Sequence, residues 1–533
     1  MEEAQTFKGE AQGKKEVPVL LVSVLIIAVC GILYELLIST ISTYFLGSSI
    51  LHFSITIGLF LSSMGIGSFF SRFINNKLLE RFIWVEIALG FVGGLSALIL
   101  HASFSLTENY YLTAFILIVI LGTFIGIEIP LITRILKNYE DLKNTISNVL
   151  AFDYIGSLLA SVLFPLILLP YLGIMRTSFL VGILNLLIAV FNTSLFKKNI
   201  KHATQLMLAA VASILIMIVG MIYSFQLSGM LEQYVYEDNI IFSRQTEYQR
   251  VVVTKYDRDV RLYINGNLQF STIDEYRYHE PLVHVPMAYL PQAENVLLLG
   301  AGDGLATREL LKYDEIKSID LVDLDPVITE IASTNPIFTK YNNGALQHPK
   351  VNVVHDDAFN FIQNSGKVYS LIIIDLPDPN SPSLGKLYSK EFYQMIQQIL
   401  AKDGVVITQS TSPYFAANAF WCINKTMESV FGGVLPINVY LPTFGMWGFN
   451  ICFQTPKKAY FDDKKPVVEE LIKPVAKHLD ENKNRLQNRF LTSDILPKIF
   501  VFEQDMQSSN VEINRLDNQA LVKYYENSWG KWD

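Results

Sequence analysis

Two hydrophobic periodicities divide this chain. Apolar runs long enough to cross a bilayer, which takes about 20 residues, recur near 19–41, 51–73, 83–102, 111–134, 151–169, 174–194 and 205–224. They predict a bundle of seven spans, and the first is no cleaved leader because six more follow it. Beyond about residue 225, short β-type runs alternate with helical patterns. Residues 251–254 and 261–264 read as strands beside an Asn265-Gly266 step, a strong hairpin signal. Residues 274–280 lead into a helix. Further strands are predicted at 295–299, 318–322, 351–354, 371–374 and 405–408, with helical patterns around 305–313, 326–333, 357–364 and 390–401. Such alternation predicts a doubly wound α/β domain on a parallel sheet.

The expected organisation is an N-terminal tail at 1–18 and a transmembrane domain at 19–224. A small β-hairpin subdomain at 225–285, the α/β domain at 286–460 and a C-terminal extension at 461–533 follow. The extension reads as two helical stretches around a short strand at 499–502. Its Trp529 and Trp532 suit docking on a domain or at a membrane interface.

A mean hydropathy of +0.31 with 17% charged residues is too apolar for an ordinary soluble enzyme. Through residue 224 there are 13 Lys and Arg against 12 Asp and Glu; the remainder holds 29 against 38, a net of −9. An acidic soluble part argues against nucleic acid as a partner, which needs a basic face. Cys30, Cys422 and Cys452 form no CxxC or Cys/His cluster, so neither a metal site nor a disulfide framework is expected.

Glu35, Glu86, Glu128, Arg134 and Asp153 fall within or beside the spans. Charge at bilayer depth faces the bundle interior, as an interhelical polar contact or as the lining of a cavity for an amine. Gly65 and Gly67, Gly90, Gly93 and Gly94, and Gly122 and Gly126 are small residues suited to close helix packing. Lys and Arg flank the first span and follow the second, fourth and sixth, which places the N-terminus of this multi-pass cell-membrane protein in the cytoplasm. Seven spans then carry the α/β half outside, where a nucleoside made by metabolism is not expected. The two readings conflict.

The candidate chemistry lies in the α/β half. Leu297-Leu-Leu-Gly-Ala-Gly-Asp-Gly304 is a glycine-rich turn of the kind that holds the adenosine end of a ligand, and Asp323, about 20 positions on, suits the ribose hydroxyls. The glycine pattern alone is weak, and acid placement sharpens it. Asp303 lies in the turn, Asp323 ends the second strand, Asp356 and Asp357 end the third, and Asp375 and Asp378 end the fourth. Carboxylates crowded at the carboxyl ends of parallel strands repel anions and favour a cation. One Asp after a strand is often only a helix cap or a turn former. The conjunction argues for a site that handles amines. At His279 a core or capping role competes with a ligand contact, and Tyr388 and Tyr393 read as core.

Residues 240–455 resemble the spermidine synthases, polyamine aminopropyltransferases on a Rossmann-like, methyltransferase-type fold. With the N-terminal spans, the chain resembles a membrane-embedded branch of that family. The resemblance rests on Gly300-Ala-Gly-Asp-Gly304 with Arg308-Glu309, Asp323, Asp357-Ala358, Asp375-x-x-Asp378-Pro379 through Pro382 and Leu387-Tyr388, and Tyr278-His279-Glu280, at family-like spacing. It implies transfer of an aminopropyl group from decarboxylated S-adenosylmethionine, a co-substrate with no resident cofactor, to an amine, putrescine by default. It implies that Gln249, Asp323, Asp357, Ala358 and Pro382 hold the adenosine beside Gly300, Gly302, Asp303 and Gly304. It further implies that His279, Asp303 and Asp378 hold amines and that Asp375 takes the proton. That last role is sound chemistry: an alkyl ammonium with a pKa of about 10.4 must lose a proton before it attacks, and a carboxylate in reach is the natural base. A homo-oligomer in contact with lipid is expected.

Three positions depart from the family pattern. Asp323 stands where glutamate is usual, Ser381-Pro382 where Gly-Pro is, and Phe444 where a tyrosine contacts the acceptor. Two rival readings stand beside this one. An S-adenosylmethionine-dependent methyltransferase shares the glycine turn and Asp323, but Asp303 opposes a donor bearing a carboxylate. A polyamine transporter with a substrate-sensing soluble domain is suggested by the acidic spans.

Overall fold

The computed structural model describes residues 10–529 apart from 47–48, 108, 138, 140, 237, 291, 432, 456 and 463–464. Residues 1–9 of the expected tail and Trp532 lie outside the described residues. The chain forms two compact units, Met1–Ile240 and Ile241–Asp533.

The first unit is helical: α1 Glu10–Leu46, α2 Ser49–Ser71, α3 Leu78–Leu106, α4 Tyr110–Leu136, α5 Leu142–Leu163, α6 Leu169–Leu195, α7 Ala203–Ile222 and α8 Ser224–Val235. Six stretches are long and apolar enough to cross a membrane by length and composition. The seven expected runs become six because a π-helical turn at Phe164–Leu168 joins α5 to α6. At about 1.5 Å per residue, that 54-residue stretch exceeds twice a hydrocarbon core of roughly 30 Å. Gly173 interrupts it with φ 71° and ψ 176°, a conformation that breaks the helical ladder and leaves two lengths, 142–172 and 174–195, each long enough to cross.

Close packing in this unit follows from missing side chains. A Cβ on Gly67 would lie 2.1 Å from Thr123 O, and one on Gly126 would lie 2.1 Å from Met64 O, so α2 and α4 touch backbone to backbone. Gly65, in contrast, faces open space. Glu86 and Glu128 are buried, and Glu86 accepts a 2.9 Å hydrogen bond from Asn185 Nδ2. Arg134 donates to Ser71 O at 2.7 Å and Ile74 O at 3.0 Å, where α2 ends. These are interhelical polar contacts.

The second unit opens with a four-stranded sheet, β1 Asn239–Gln245, β2 Arg250–Tyr256, β3 Asp259–Ile264 and β4 Asn267–Ser271, in that order. Asn265 and Gly266, both with positive φ, turn β3 into β4. Then come α9 Tyr276–Met287, β5 Asn295–Gly300, α10 Leu305–Leu310, β6 Ser318–Asp323, α11 Pro326–Thr334, α12 Pro336–Asn342 and β7 Val351–His355. The chain continues through α13 Ala358–Asn364, β8 Tyr369–Asp375, the single turn α14 Pro382–Gly385, α15 Lys390–Ile399, β9 Leu400–Gln409, α16 Ala417–Phe431, β10 Val434–Leu441 and β11 Gly445–Phe453.

The large sheet has the order β10-β11-β9-β8-β5-β6-β7. The five expected strands, β5 to β9, are parallel neighbours, whereas β11 runs antiparallel to β9 and β10 antiparallel to β11. The extension supplies α17 Val468–Glu481, α18 Lys483–Leu486 and α19 Ala520–Trp529. The strand expected at 499–502 is absent, because Pro497 starts a 3-10 turn, Leu496–Phe500, that buries Ile499 and Phe500. Trp529 stacks on Phe415 with centroids 5.5 Å apart, so this part of the extension docks on the α/β layers.

Candidate active site

Strand order reverses between β5 and β8, the place where open α/β sheets form a ligand crevice. Gly300 and Asp375 are register partners there. Gly300 has φ 81°, and a Cβ on it would lie 2.1 Å from Asp375 O. Only glycine fits, so the glycine turn starts directly against the end of β8. Gly302 donates its N–H to Asp323 Oδ2 at 3.1 Å, and Asp325 N–H binds Asp323 Oδ1 at 3.0 Å. Asp303 Oδ1 accepts Leu305 N–H at 2.8 Å at the start of α10.

These acids share an electrostatic state. Burial pushes Asp323, Asp375 and Asp378 up to about 6 and also raises Asp303. For Asp375 the charge of His279 and a hydrogen bond from the Tyr278 hydroxyl act against burial, while Asp303 adds to it. Asp378 is steadied by Tyr525 Oη at 2.9 Å, Gln409 Nε2 at 3.3 Å and Thr411 Oγ1 at 3.3 Å. Among the described residues none of Asp303, Asp323, Asp375 and Asp378 is ion-paired with Lys or Arg.

His279 stands beside them on α9. Burial alone would lower its pKa, but Glu275, whose Oε2 and carbonyl O lie 2.9 and 2.8 Å from Nδ1, raises it to about 8. Arg308 grips Glu275 with both terminal nitrogens, at 3.0 and 2.9 Å, and Glu309 through Nε at 2.9 Å. Glu280, next to His279, accepts the backbone N–H groups of Arg489, Phe490 and Leu491 at 2.7–2.9 Å and so anchors the extension.

The other anticipated residues lie on neighbouring loops of the same unit. Asp357 caps α13 through Phe359 N–H at 2.8 Å and pairs with Lys386 at 2.9 Å, which leaves Ala358 in the first helical turn. Gln249 sits in the turn whose Thr246 hydroxyl binds Asp325 Oδ2 at 2.8 Å, beside the Asp323 loop. Pro382 opens α14, after the Asp378 loop. A small pocket between β4 and α9 is lined by Gln269, Glu275, Tyr278, His279, Leu441 and Phe444, and a second one by Asp303, Phe270, Thr272 and Tyr341. Tyr388 and Tyr393 are fully buried, and the Tyr388 hydroxyl also donates to Leu376 O and Pro377 O at 3.0 Å.

Sequence reasoning quoted Tyr278 without giving it a role, and it missed Glu275, Gln409, Thr411 and Tyr525. Of these, Glu275 carried a readable signal, since it precedes His279 by one helical turn. Three comparisons fit this geometry. A family model described as spermine/spermidine synthase domain matches residues 275–464. The chain is 42% identical to a polyamine aminopropyltransferase of Leptospira interrogans over 96% of its length and 99% of that protein. It is 39% identical to polyamine aminopropyltransferase 2 of Ralstonia nicotianae, over 96% and 98% of the two chains.

Proposed function

Because the chain belongs to the polyamine aminopropyltransferases, we infer that the crevice between β5 and β8 binds decarboxylated S-adenosylmethionine and an amine side by side, with Asp375 as the base. The enzyme transfers an aminopropyl group from that sulfonium donor to the amine and releases methylthioadenosine. In this reading Gly300, Gly302 and Gly304 bring backbone close to the adenosine. Asp323 takes the ribose hydroxyls, and Gln249, Asp357, Ala358 and Pro382 border the purine.

One observation carries the reading. Asp303, Asp375 and Asp378 are buried without a Lys or Arg partner among the described residues, with the His279 charge acting on the first two, and buried carboxylates so under-matched favour a cationic ligand. Both substrates are cations. Asp303 faces the donor's aminopropyl ammonium, whereas Asp378 and His279 frame the acceptor. Asp375 takes a proton from the bound ammonium, and the lone pair so freed attacks the carbon beside sulfur. The C–S electron pair leaves on a neutral thioether, so the leaving group needs no acid. Tyr278 fixes the orientation of the Asp375 carboxylate.

Putrescine is the default acceptor. Phe444 lines the pocket beside Tyr278 and His279, and an apolar ring there favours the methylenes of a diamine over a further polar group. Incubating the purified full chain with decarboxylated S-adenosylmethionine and diamines of graded length, followed by mass spectrometry, tests this. Spermidine and methylthioadenosine in equal amounts are expected; methylated products would transfer the case to a methyltransferase.

The same reading places α1–α7 in the cell membrane and treats residues 241–460 as one catalytic module carrying the 461–533 extension. Support comes from the six apolar stretches and from the more-than-half-exposed Leu61, Phe73, Leu158, Leu166, Leu208 and Ile222. Release of the chain from membranes by alkaline carbonate would contradict this placement.

A further inference from the structure

The extension beyond residue 464 lies outside the part matched by the synthase family model, yet it reaches the crevice. Of the three donors to the Asp378 carboxylate, Tyr525 Oη is the nearest at 2.9 Å. Gln409 Nε2, at 3.3 Å, is shared with Leu376 O and the Tyr388 hydroxyl, each at 2.6 Å, and Thr411 Oγ1 is also 3.3 Å away. Tyr525 and Thr411 both bind Oδ2, whereas among the described residues Oδ1 receives only the long Gln409 contact. One lobe of the carboxylate is thus filled and the other is left to accept from a substrate.

More of the extension holds the α14–α15 segment that follows this acid. Asn514 Nδ2 donates to Gly385 O at 2.9 Å, and Asn514 O accepts Lys390 N–H at 2.9 Å. A Cβ on Gly385 would meet Val522 Cγ2 at 2.6 Å, so α19 lies flush on α14. Farther along α19, Trp529 stacks on Phe415, whose ring packs against Gly445 in the turn that carries Phe444. The last helix therefore touches the Asp378 loop directly and reaches the Phe444 turn through Phe415.

We propose that Tyr525 is a positioning residue for the acceptor amine: from the C-terminal extension it orients Asp378, so that α19 sets acceptor affinity without touching the donor. This rests on the reading of Asp378 as an acceptor ligand. The titratable groups facing Asp378 are the phenols of Tyr278 on α9, Tyr388 after α14 and Tyr525 on α19. The Tyr525 hydrogen bond favours the ionised carboxylate, so its loss moves the acid limb of acceptor kcat/KM to higher pH.

The test uses the full-length enzyme with separate titration of donor and acceptor. Tyr525→Phe removes one hydroxyl and little else; acceptor KM is expected to rise about tenfold, with donor KM changed less than about twofold, as for loss of a hydrogen bond to a charged group. Tyr524→Phe is the control, since its hydroxyl accepts Glu512 N–H at 3.2 Å, away from the pocket; both KM values should stay at wild-type level. Equal changes in both substrates, the same loss in both variants, or an unmoved acid limb in Tyr525→Phe would overturn the proposal. Asp378→Asn separates the two levels. If it raises acceptor KM while Tyr525→Phe does not, the positioning role alone fails. If it leaves acceptor KM unchanged, the assignment of Asp378 fails and the proposal goes with it.

Discussion

Two groups of buried acids within the α/β unit meet opposite fates. Between α9 and α10, Glu275 and Glu309 are matched by cations: His279 lies 2.9 Å from Glu275, Arg308 binds both acids, and Glu309 also has Lys312 at 2.5 Å, with the His284 ring, whose pKa burial lowers, 2.9 Å away. Burial would raise them, but these partners prevail, holding Glu275 down at about 2 and Glu309 well below the usual carboxylate range. At the strand ends, Asp323, Asp375 and Asp378 have no Lys or Arg partner among the described residues, and burial leaves them near 6. The lesson is that in one low-dielectric interior an acid with its own cation is framework. An acid without one is kept for a cation that arrives.

The sharpest way to break this comparison is to neutralise one acid of the second kind. Asp375→Asn should cut kcat by at least two orders of magnitude, the usual scale for loss of a general base, while methylthioadenosine binding by calorimetry stays within about twofold. In the wild type, kcat should fall as pH drops through about 6, since protonation of Asp375 removes the base. Near-normal turnover of the variant would refute the assignment.

Neutralising an acid of the first kind should damage folding instead. Glu309→Gln strands Arg308 and Lys312 next to an uncharged amide, a change worth roughly 3–5 kcal/mol for a buried pair. Thermal denaturation should show the loss, and the surviving folded fraction should keep its KM values. The pKa signs also oppose. Glu275 and Glu309 are depressed on folding, so their stabilisation is present at neutral pH and fades as pH falls below about 4.5. The strand-end acids are raised, so their ionisation weakens the ligand-free fold as pH climbs from about 4 to 6. Donor analogues should therefore raise the melting temperature more at pH 7.5 than at pH 5.

Donor choice sharpens the comparison further. Ordinary S-adenosylmethionine would set its carboxylate against Asp303, and at an effective dielectric of about 20 like charges near 4 Å cost on the order of 4 kcal/mol before relaxation. Asp303→Asn should narrow the preference for the decarboxylated donor by at least about tenfold in competition binding. Equal affinity of the wild type for both donors is the result that would defeat this idea. Smallest in effect, Asp323→Ala should weaken methylthioadenosine about tenfold through lost ribose hydrogen bonds, with acceptor KM unchanged.

Much of this was legible in the chain, for local reasons. An apolar run that ends in Asp marks a parallel strand and puts the acid at its carboxyl end; Asp323 and Asp375 were located in that way. The glycine turn was legible because close backbone approach leaves glycine as the one choice. The antiparallel pair β10 and β11 was not, since 434–453 is a nearly unbroken apolar run whose turn, Pro442-Thr443-Phe444-Gly445, lacks a two-residue hairpin step. The roles of Tyr278 and Tyr525 depend on contacts across 97 and 147 residues, beyond any local pattern. The π-helical turn at Phe164–Leu168, which runs two expected spans together, has no local sequence signature either.

The contact between Gly300 and the carbonyl of Asp375 has a consequence for remodelling the enzyme. With 2.1 Å where a methyl group would go, the glycine turn and the end of β8 form one close-packed part, and any side chain placed at Gly300 displaces Asp375. New acceptors are therefore to be sought by changing the parts outside that contact, the Phe444 turn and the terminal helix, while the five parallel strands stay as they are.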